Sequence, residues 1–244
     1  MKAVVTGAGA GLGASIAERL ASEGYAVALL DQDGDAASRC AEKLTGASAF
    51  QVDVSSPEQV ADVFSRIGAV DLLVNNAGIA RFGPLLEQSA ADMQDVINVN
   101  LMGTALCAQQ AAKQMTQQGA GCIINLSSIN AVTPGPNVGL YAATKAAVQN
   151  LTILQALEWG PMGVRVNAIA PGFIDAGMSA PFFEQASVRE KRASGVPLRR
   201  LGQADDVVNA VVYLQSEAAQ YVSGHQLVVD GGVVGSLLAH LPRD

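Results

Sequence analysis

Charge is scarce in this chain. Asp, Glu, Lys and Arg make up 15% of its 244 residues, and the balance is acidic, a formal −7. Nucleic-acid binders gather Lys and Arg on one face, so no nucleic-acid partner is expected. Cysteine is nearly missing: Cys40, Cys107 and Cys122 lie far apart and form no C-x-x-C. Neither a zinc site nor a disulfide framework is therefore expected, and the three read as small apolar residues. No apolar run approaches the roughly 20 residues that cross a bilayer, so no membrane contact is expected. The opening Met-Lys runs straight into an apolar segment, without the charged and apolar regions of a secretory leader. The cytoplasm is the expected compartment. No repeat, low-complexity tract or linker interrupts the chain.

Apolar residues, by contrast, make up half of it. A chain of this length and composition can bury a substantial core as one α/β domain. Short apolar, β-branched runs alternate with Ala-rich amphipathic stretches. The runs predict strands at Lys2–Thr6, 26–30, 49–52, Leu72–Asn75, Gly121–Leu126, 164–169 and Gln226–Val229. Such near-continuous apolar segments suit parallel strands buried on both faces. Helical spacing predicts helices over 12–23, 35–43, Pro57–Ile67, 90–118 and 140–159. The alternation implies right-handed βαβ units and a parallel sheet. Residues 172–201 break the rhythm with Pro181, Phe182, Phe183, Pro197 and several charges. Following a strand's carboxyl end, where open α/β sheets bind ligands, this segment is expected to be a lid.

The first strand is followed by Thr6-Gly7-Ala8-Gly9-Ala10-Gly11-Leu12-Gly13. A Gly-rich turn entering a helix lets backbone amides approach a pyrophosphate, and the helix dipole favours the anion. Gly7, Gly11, Leu12 and Gly13 are the candidate contacts. The second strand leads into Asp31, at the spacing of a ribose-binding acid. Its carboxylate would accept hydrogen bonds from the adenosine ribose and repel the 2′-phosphate of NADP. Ala10 and Gln32 beside these sites supply no cation for that phosphate. The expected cofactor is NAD(H).

Tyr141-Ala142-Ala143-Thr144-Lys145 lies in a helical stretch, where residues four apart share a face. The ammonium can then sit near the phenol and favour its ionised form, since a free Tyr titrates too high for an efficient base. Alone, such a pair is usually an ordinary surface contact. Upstream, Ile123-Ile124-Asn125-Leu126-Ser127-Ser128 reads as a buried strand ending in two hydroxyls. Spacing selects Ser128 over Ser127 as the group that meets a substrate oxygen.

With these residues in place the chain resembles the short-chain dehydrogenase/reductase family along essentially its whole length. The motifs occur in order: Thr6–Gly13, Asp53-Val54, Asn75-Asn76-Ala77-Gly78, Asn100, Ser128 with Tyr141 and Lys145, and Pro171-Gly172. The resemblance implies a single-domain Rossmann fold over 1–244, a doubly wound parallel seven-stranded sheet of order 3-2-1-4-5-6-7 flanked by helices. It implies that Tyr141 is the general acid/base and that Ser128 polarises the substrate oxygen. Lys145 would hold the nicotinamide ribose and lower the Tyr pKa. Asn100 would bend the long helix and hold a water linked to Lys145. Asp53 and Val54 would contact adenine; Asn75, Ala77 and Gly78 would shape the adenine-side ribose site. Pro171, Gly172 and Ile174 would meet the nicotinamide. Family members often carry Thr two residues after the Ile174 position; here Asp175-Ala176 stands there, so Ser179 or a backbone amide must substitute.

The expected reaction is hydride transfer between a nicotinamide and a small, moderately apolar secondary alcohol or its ketone. Candidate substrate-lining residues are Ser128, Ile129, Ala131, Asn137, Tyr141, Met178, Phe182 and Phe183, with no cation aimed at the site. A 3-oxoacyl-(acyl-carrier-protein) reductase is one alternative, with Arg81, Arg189, Lys191 and Arg192 as a possible docking patch. A non-catalytic NAD(H)-binding regulator is another. The resemblance also implies a homotetramer, or a homodimer, through the helices over 90–118 and 140–159 and the last strand. The apolar tail Val233-Val234-Gly235-Ser236-Leu237-Leu238 fits such an interface.

Overall fold

A computed structural model describes residues 1–236; Leu237 and Leu238 of the expected apolar tail lie outside the described residues. Seven strands form one parallel sheet: β1 (Lys2–Thr6), β2 (Ala26–Asp31), β3 (Ser48–Gln51), β4 (Leu72–Asn75), β5 (Gly121–Leu126), β6 (Val164–Pro171) and β7 (Gln226–Val229). Their order is β3-β2-β1-β4-β5-β6-β7, as the resemblance implied. The chain crosses from β3 over β2 and β1 to β4, so the strand order reverses between β1 and β4. A crevice opens beyond their carboxyl ends at that reversal.

Both faces of the sheet are buried, which explains the near-continuous apolar strands. Ala3 and Val5 face one layer with Ile16, Leu20, Val211 and Leu214. Val4 and Ile123 face the other with Val63, Phe64, Cys107 and Met115. Strand period of two divides each run between the layers. The first layer holds α1 (Gly11–Ser22), α2 (Gly34–Ala41) and, among later elements, the helix at Ala204–Gln215. The second holds α3 (Pro57–Ile67) and the helix at Thr104–Gln118.

Local signals set the helix starts. Asp33 caps α2 by accepting from Ala36 N at 2.9 Å. Ser56 caps α3 at Gln59 N, with Pro57 in its first turn. Helix α1 differs: no side chain caps its N-terminus.

The single helix predicted over 90–118 is three pieces. These are α4 (Ala90–Ile97), a π-helical stretch at Asn98–Gly103, and α5 (Thr104–Gln118). The bend expected at Asn100 is therefore a π segment, held by that side chain. Its Oδ1 accepts from Ile79 N at 2.8 Å, and its Nδ2 donates to Ile79 O at 2.9 Å and Thr144 Oγ1 at 3.2 Å. Helix α6 (Tyr141–Trp159) follows β5, and β6 follows α6. Residues 172–201 contain two short helices, α7 (Ala180–Phe183) and α8 (Ala186–Gly195). Helix α9 (Ala204–Gln215) has no counterpart among the sequence expectations, although Gln203 and Asp206 form a capping box at its start. Among the described residues no helix is long and apolar enough to cross a membrane.

Candidate active site

A cavity of about 1060 Å³ lies along the carboxyl ends of the strands. That is at the upper end for a single ligand site and suits a dinucleotide together with a small substrate. Asp31 and Asp53 lie on its wall, as do the Gly7–Gly13 turn and Ser128, Tyr141 and Lys145.

The turn is built by close approach. Gly7 and Gly11 have φ of 63° and 54°, in the left-handed region that glycine adopts without strain. A Cβ on Gly13 would sit 2.0 Å from Gly7 O, and one on Gly11 2.6 Å from Gly177 Cα. The turn is locked to β4 through Thr6, whose hydroxyl accepts from Asn76 N and Ala77 N at 3.0 Å each. With no side-chain cap on α1, its first amides are left to an anion at the positive end of the helix dipole.

Asp31 ends β2. Its Oδ2 accepts from Gly9 N at 2.8 Å and its Oδ1 from Asp33 N at 3.0 Å. The carboxylate is thus aimed by backbone amides rather than by a cation. Ala10 and Gln32 line the cavity with it, as do Leu12, Asp53 and Val54. Asp53 is held through its Oδ1 by Ser55 N and Oγ.

The Asn-Asn pair divides differently from the sequence expectation. Asn75 does not line the cavity; it is buried and donates to Asn125 Oδ1 at 2.9 Å and Thr104 O at 3.3 Å. As the last residue of β4 its side chain stays in the helix layer. Asn76 is the one at the cavity, donating to Thr6 O and Gly7 O at 3.0 Å each. Ala77 and Gly78 line the wall as expected.

At the other end, β5 delivers two serines with different employment. Ser127 Oγ donates to Lys145 O at 3.0 Å, which ties the strand to α6. Ser128 Oγ accepts from Asn130 N at 3.2 Å and lies beside the Tyr141 phenol. Helix α6 begins at Tyr141, and Lys145 lies one turn on, its Nζ 5.6 Å from the centre of the Tyr141 ring. The Lys145 Nζ donates to Leu126 O at 2.7 Å. Burial pulls the Lys145 ammonium down to about 8. Burial also pushes the Tyr141 phenol up, with the Ser128 hydroxyl pulling the other way. The Lys145 ammonium is turned to Leu126 O, and burial is the larger influence on the phenol.

Asn100 is fully buried behind this wall rather than on it. Ile129, Asn137, Met178, Phe182 and Phe183 line the cavity; Ala131 does not. Asn137 has φ of 61°. Pro171, Gly172 and Ile174 line it too, and a Cβ on Gly172 would meet Asp230 Cα at 2.7 Å. Asp175 pairs with Arg189 of α8 at 2.5 Å, while Ala176, at the position where Thr is frequent, lines the cavity without a side-chain donor. Phe82 was not foreseen; its ring lies 6.2 Å from Tyr141 and 5.4 Å from Phe182. Neither were Arg192, Val233 and Val234, which also line the cavity. No periodic signal in the sequence marks these, since loops and the short helix α8 bring them in.

The family model for enoyl-(acyl carrier protein) reductase matches residues 7–234. The 3-oxoacyl-(acyl-carrier-protein) reductase FabG of Staphylococcus aureus is 40% identical over 240 residues, covering 95% of this chain and 97% of that protein. Cis-4-hydroxycyclohexanecarboxylate dehydrogenase of Sinomonas cyclohexanicum is 40% identical over 239 residues, covering 94% and 95%. The crystal structure of a 3-ketoacyl-(acyl-carrier-protein) reductase from Brucella melitensis complexed with NADH superposes with a TM-score of 0.89 at 31% identity, covering 95% and 97%. Fold, cavity and relatives define a nicotinamide-dependent oxidoreductase of hydroxyl- or keto-bearing carbon. The chain belongs to the short-chain dehydrogenase/reductase family.

Proposed function

We propose that this chain interconverts a small, moderately apolar secondary alcohol and its ketone with NAD(H), using Tyr141 as general acid/base. The observation that carries the proposal is the meeting of Ser128, Tyr141 and Lys145 on the wall of a cavity that also holds the Asp31 carboxylate. A nicotinamide, when bound, supplies or takes the hydride. The chain's own groups do the rest. The Gly7–Gly13 amides and the α1 dipole would hold the pyrophosphate. Asp31 would accept from the adenosine ribose, while Asp53, Val54, Ala77 and Gly78 would shape the adenosine side. Pro171, Gly172 and Ile174 would meet the nicotinamide end. Ser128 Oγ would hold the reacting oxygen within reach of the phenol. During reduction Tyr141 Oη gives its proton to that oxygen; during oxidation it takes the proton back. Lys145 would bind the nicotinamide ribose and favour the phenolate as it forms. Asn100, through the π segment and its bond to Thr144, would fix α6 in place.

The NAD(H) preference rests on charge. Among the described residues no cation shares the Asp31 end of the cavity, where a 2′-phosphate would face a carboxylate. With a panel of ketones and alcohols, NADH is expected to exceed NADPH in kcat/KM by about a hundredfold, a like-charge cost of a few kcal/mol. Asp31→Ser should narrow that ratio by at least about tenfold. A native preference for NADPH would overturn the assignment.

Residues 172–201 serve as the lid, with Gly177 seated on Gly11 and Met178 and Phe182 over the substrate end. Exposed Ile153, Leu154 and Leu157 give α6 an apolar outer face suited to a homodimer or homotetramer. Sedimentation at several concentrations tests that assembly.

The similarity to the carrier-protein reductases favours a second reading, reduction of an acyl-carrier thioester. Of the four basic residues for a docking patch, Arg81 pairs with Asp92 and Asp95, and Arg189 with Asp175. That weakens the patch. Turnover of carrier-bound 3-ketoacyl thioester far above that of free ketones would favour this reading. A regulator that only binds NADH would change its fluorescence without consuming it.

A further inference from the structure

Among the described residues, Arg192, on α8, is one of two basic residues on the cavity wall; Lys145 is the other. Its guanidinium carbon lies 4.7 Å from the centre of the Phe173 ring. Phe173 follows the Pro171-Gly172 turn and lines the same cavity. This cation–π contact uses the ring face and consumes none of the N–H donors, which remain available as a fork. Two neighbouring arginines are neutralised, Arg189 by Asp175 and Arg200 by Asp206. Among the described residues Arg192 has no ion-pair partner. Among the described residues the cavity's two carboxylates, Asp31 and Asp53, are each held by backbone amides elsewhere on the wall. Apolar Phe182, Phe183, Val188, Val233 and Val234 share the wall with Arg192.

We propose that Arg192 receives a carboxylate of the substrate, which is then a hydroxy or keto acid with a short apolar body. The proposal rests on the reading that Ser128 and Tyr141 take the reacting oxygen. An apolar cavity with a guanidinium that has no ion-pair partner among the described residues on its wall suits an amphiphilic anion. The apolar body replaces water along the aromatic wall, and the acid group meets the guanidinium in two parallel hydrogen bonds. The net charge of −7 gives an anion no general attraction to this protein, so the local cation decides. One free guanidinium balances a monoanion. A phosphate dianion calls for a second cation, and Lys145 is already turned to Leu126 O. Arg192 is exposed, so solvent weakens the pair and its effect on affinity is about tenfold at low salt.

The test is calorimetric titration of the full-length, NADH-loaded protein with cyclohexanecarboxylate and with cyclohexanecarboxamide. The two share a shape, differ in charge and cannot turn over. The native protein should bind the acid about tenfold more tightly than the amide. Arg192→Leu should weaken the acid alone until the two are equal, and Arg192→Lys should keep part of the preference. Added salt should shrink it. Equal binding of acid and amide by the native protein, binding of neither, or a preference that survives Arg192→Leu would overturn the proposal. Catalysis is read separately, from NADH formation with matched hydroxy acids and neutral alcohols. Failure of every alcohol to turn over, with the acid preference intact, would sink the catalytic reading and leave the carboxylate site standing.

Discussion

Replacing Lys145 by Met should stabilise the protein while removing its catalysis. Lys145 is 4% exposed, and burial pulls its ammonium from 10.5 down to about 8. At about 1.36 kcal/mol per pH unit, that gap is a burial penalty of about 3 kcal/mol at neutral pH. Removing the ammonium leaves Leu126 O without its donor, which gives back about 1 kcal/mol. The net gain is about 2 kcal/mol, and for a domain of this size it raises the thermal midpoint by about 4–8 °C. The pH dependence follows from proton counts. Between about 8 and 10.5 the unfolded chain holds a proton on Lys145 that the folded chain has lost, so this residue makes wild-type stability rise with pH. Below about 8 both states hold the proton and the penalty is constant. The advantage of Lys145→Met should therefore be full at pH 7 and smaller at pH 9.5. Urea unfolding of both proteins at the two pH values, at fixed protein concentration, measures it. A variant less stable than wild type at pH 7, or an advantage that grows toward pH 9.5, would refute the reasoning.

Gly13→Ala places a methyl 2.0 Å from Gly7 O and 2.6 Å from Asn76 Nδ2. Overpacking against backbone should cost about 3 kcal/mol and NADH affinity with it; an unchanged melting midpoint would argue against the tight turn. Arg189→Ala removes the Asp175 ion pair and the bond to Phe183 O. The guanidinium is partly exposed, so the cost is at most about 1 kcal/mol, seen as a KM rise of up to about fivefold and faster proteolysis of 172–201. Unchanged cleavage there would show that the pair does not hold the segment. Asp206→Asn loses the Arg200 ion pair while keeping an oxygen that can accept from Gln203 N in the α9 capping box. Arg200 holds the Asp206 carboxyl at about 2, so its contribution is present above pH 4 and fades on acidification toward 2; acid titration of both proteins should converge there.

Much of this architecture is written in local patterns. The alternate residues of β1 and β5 face opposite layers, so their runs read as apolar without a break, and the parallel sheet follows. The Gly7–Gly13 turn and the Tyr141–Lys145 spacing are likewise local and legible. What escaped depends on contacts far apart in sequence. The π segment exists because Asn100 bonds Ile79 and Thr144. Asn75 and Asn76 look alike in sequence, yet the end of β4 turns one into the helix layer and the other to the cavity. Phe82, Arg192 and Val233 arrive on loops or a short helix whose positions no period encodes. Helix α9 is the exception: Val207, Val208, Val211 and Leu214 carry helical spacing behind a capping box, a local signal that could have been read.

The central claim is that the Tyr141 phenol moves the proton at the substrate oxygen beside a bound nicotinamide. Steady-state NADH oxidation by Tyr141→Phe, with NADH binding titrated by fluorescence on the same sample, tests it most directly. The account predicts unchanged NADH affinity and a loss of at least about a hundredfold in kcat, the low end for removing an acid/base. Turnover near the wild-type rate with NADH still bound would contradict it.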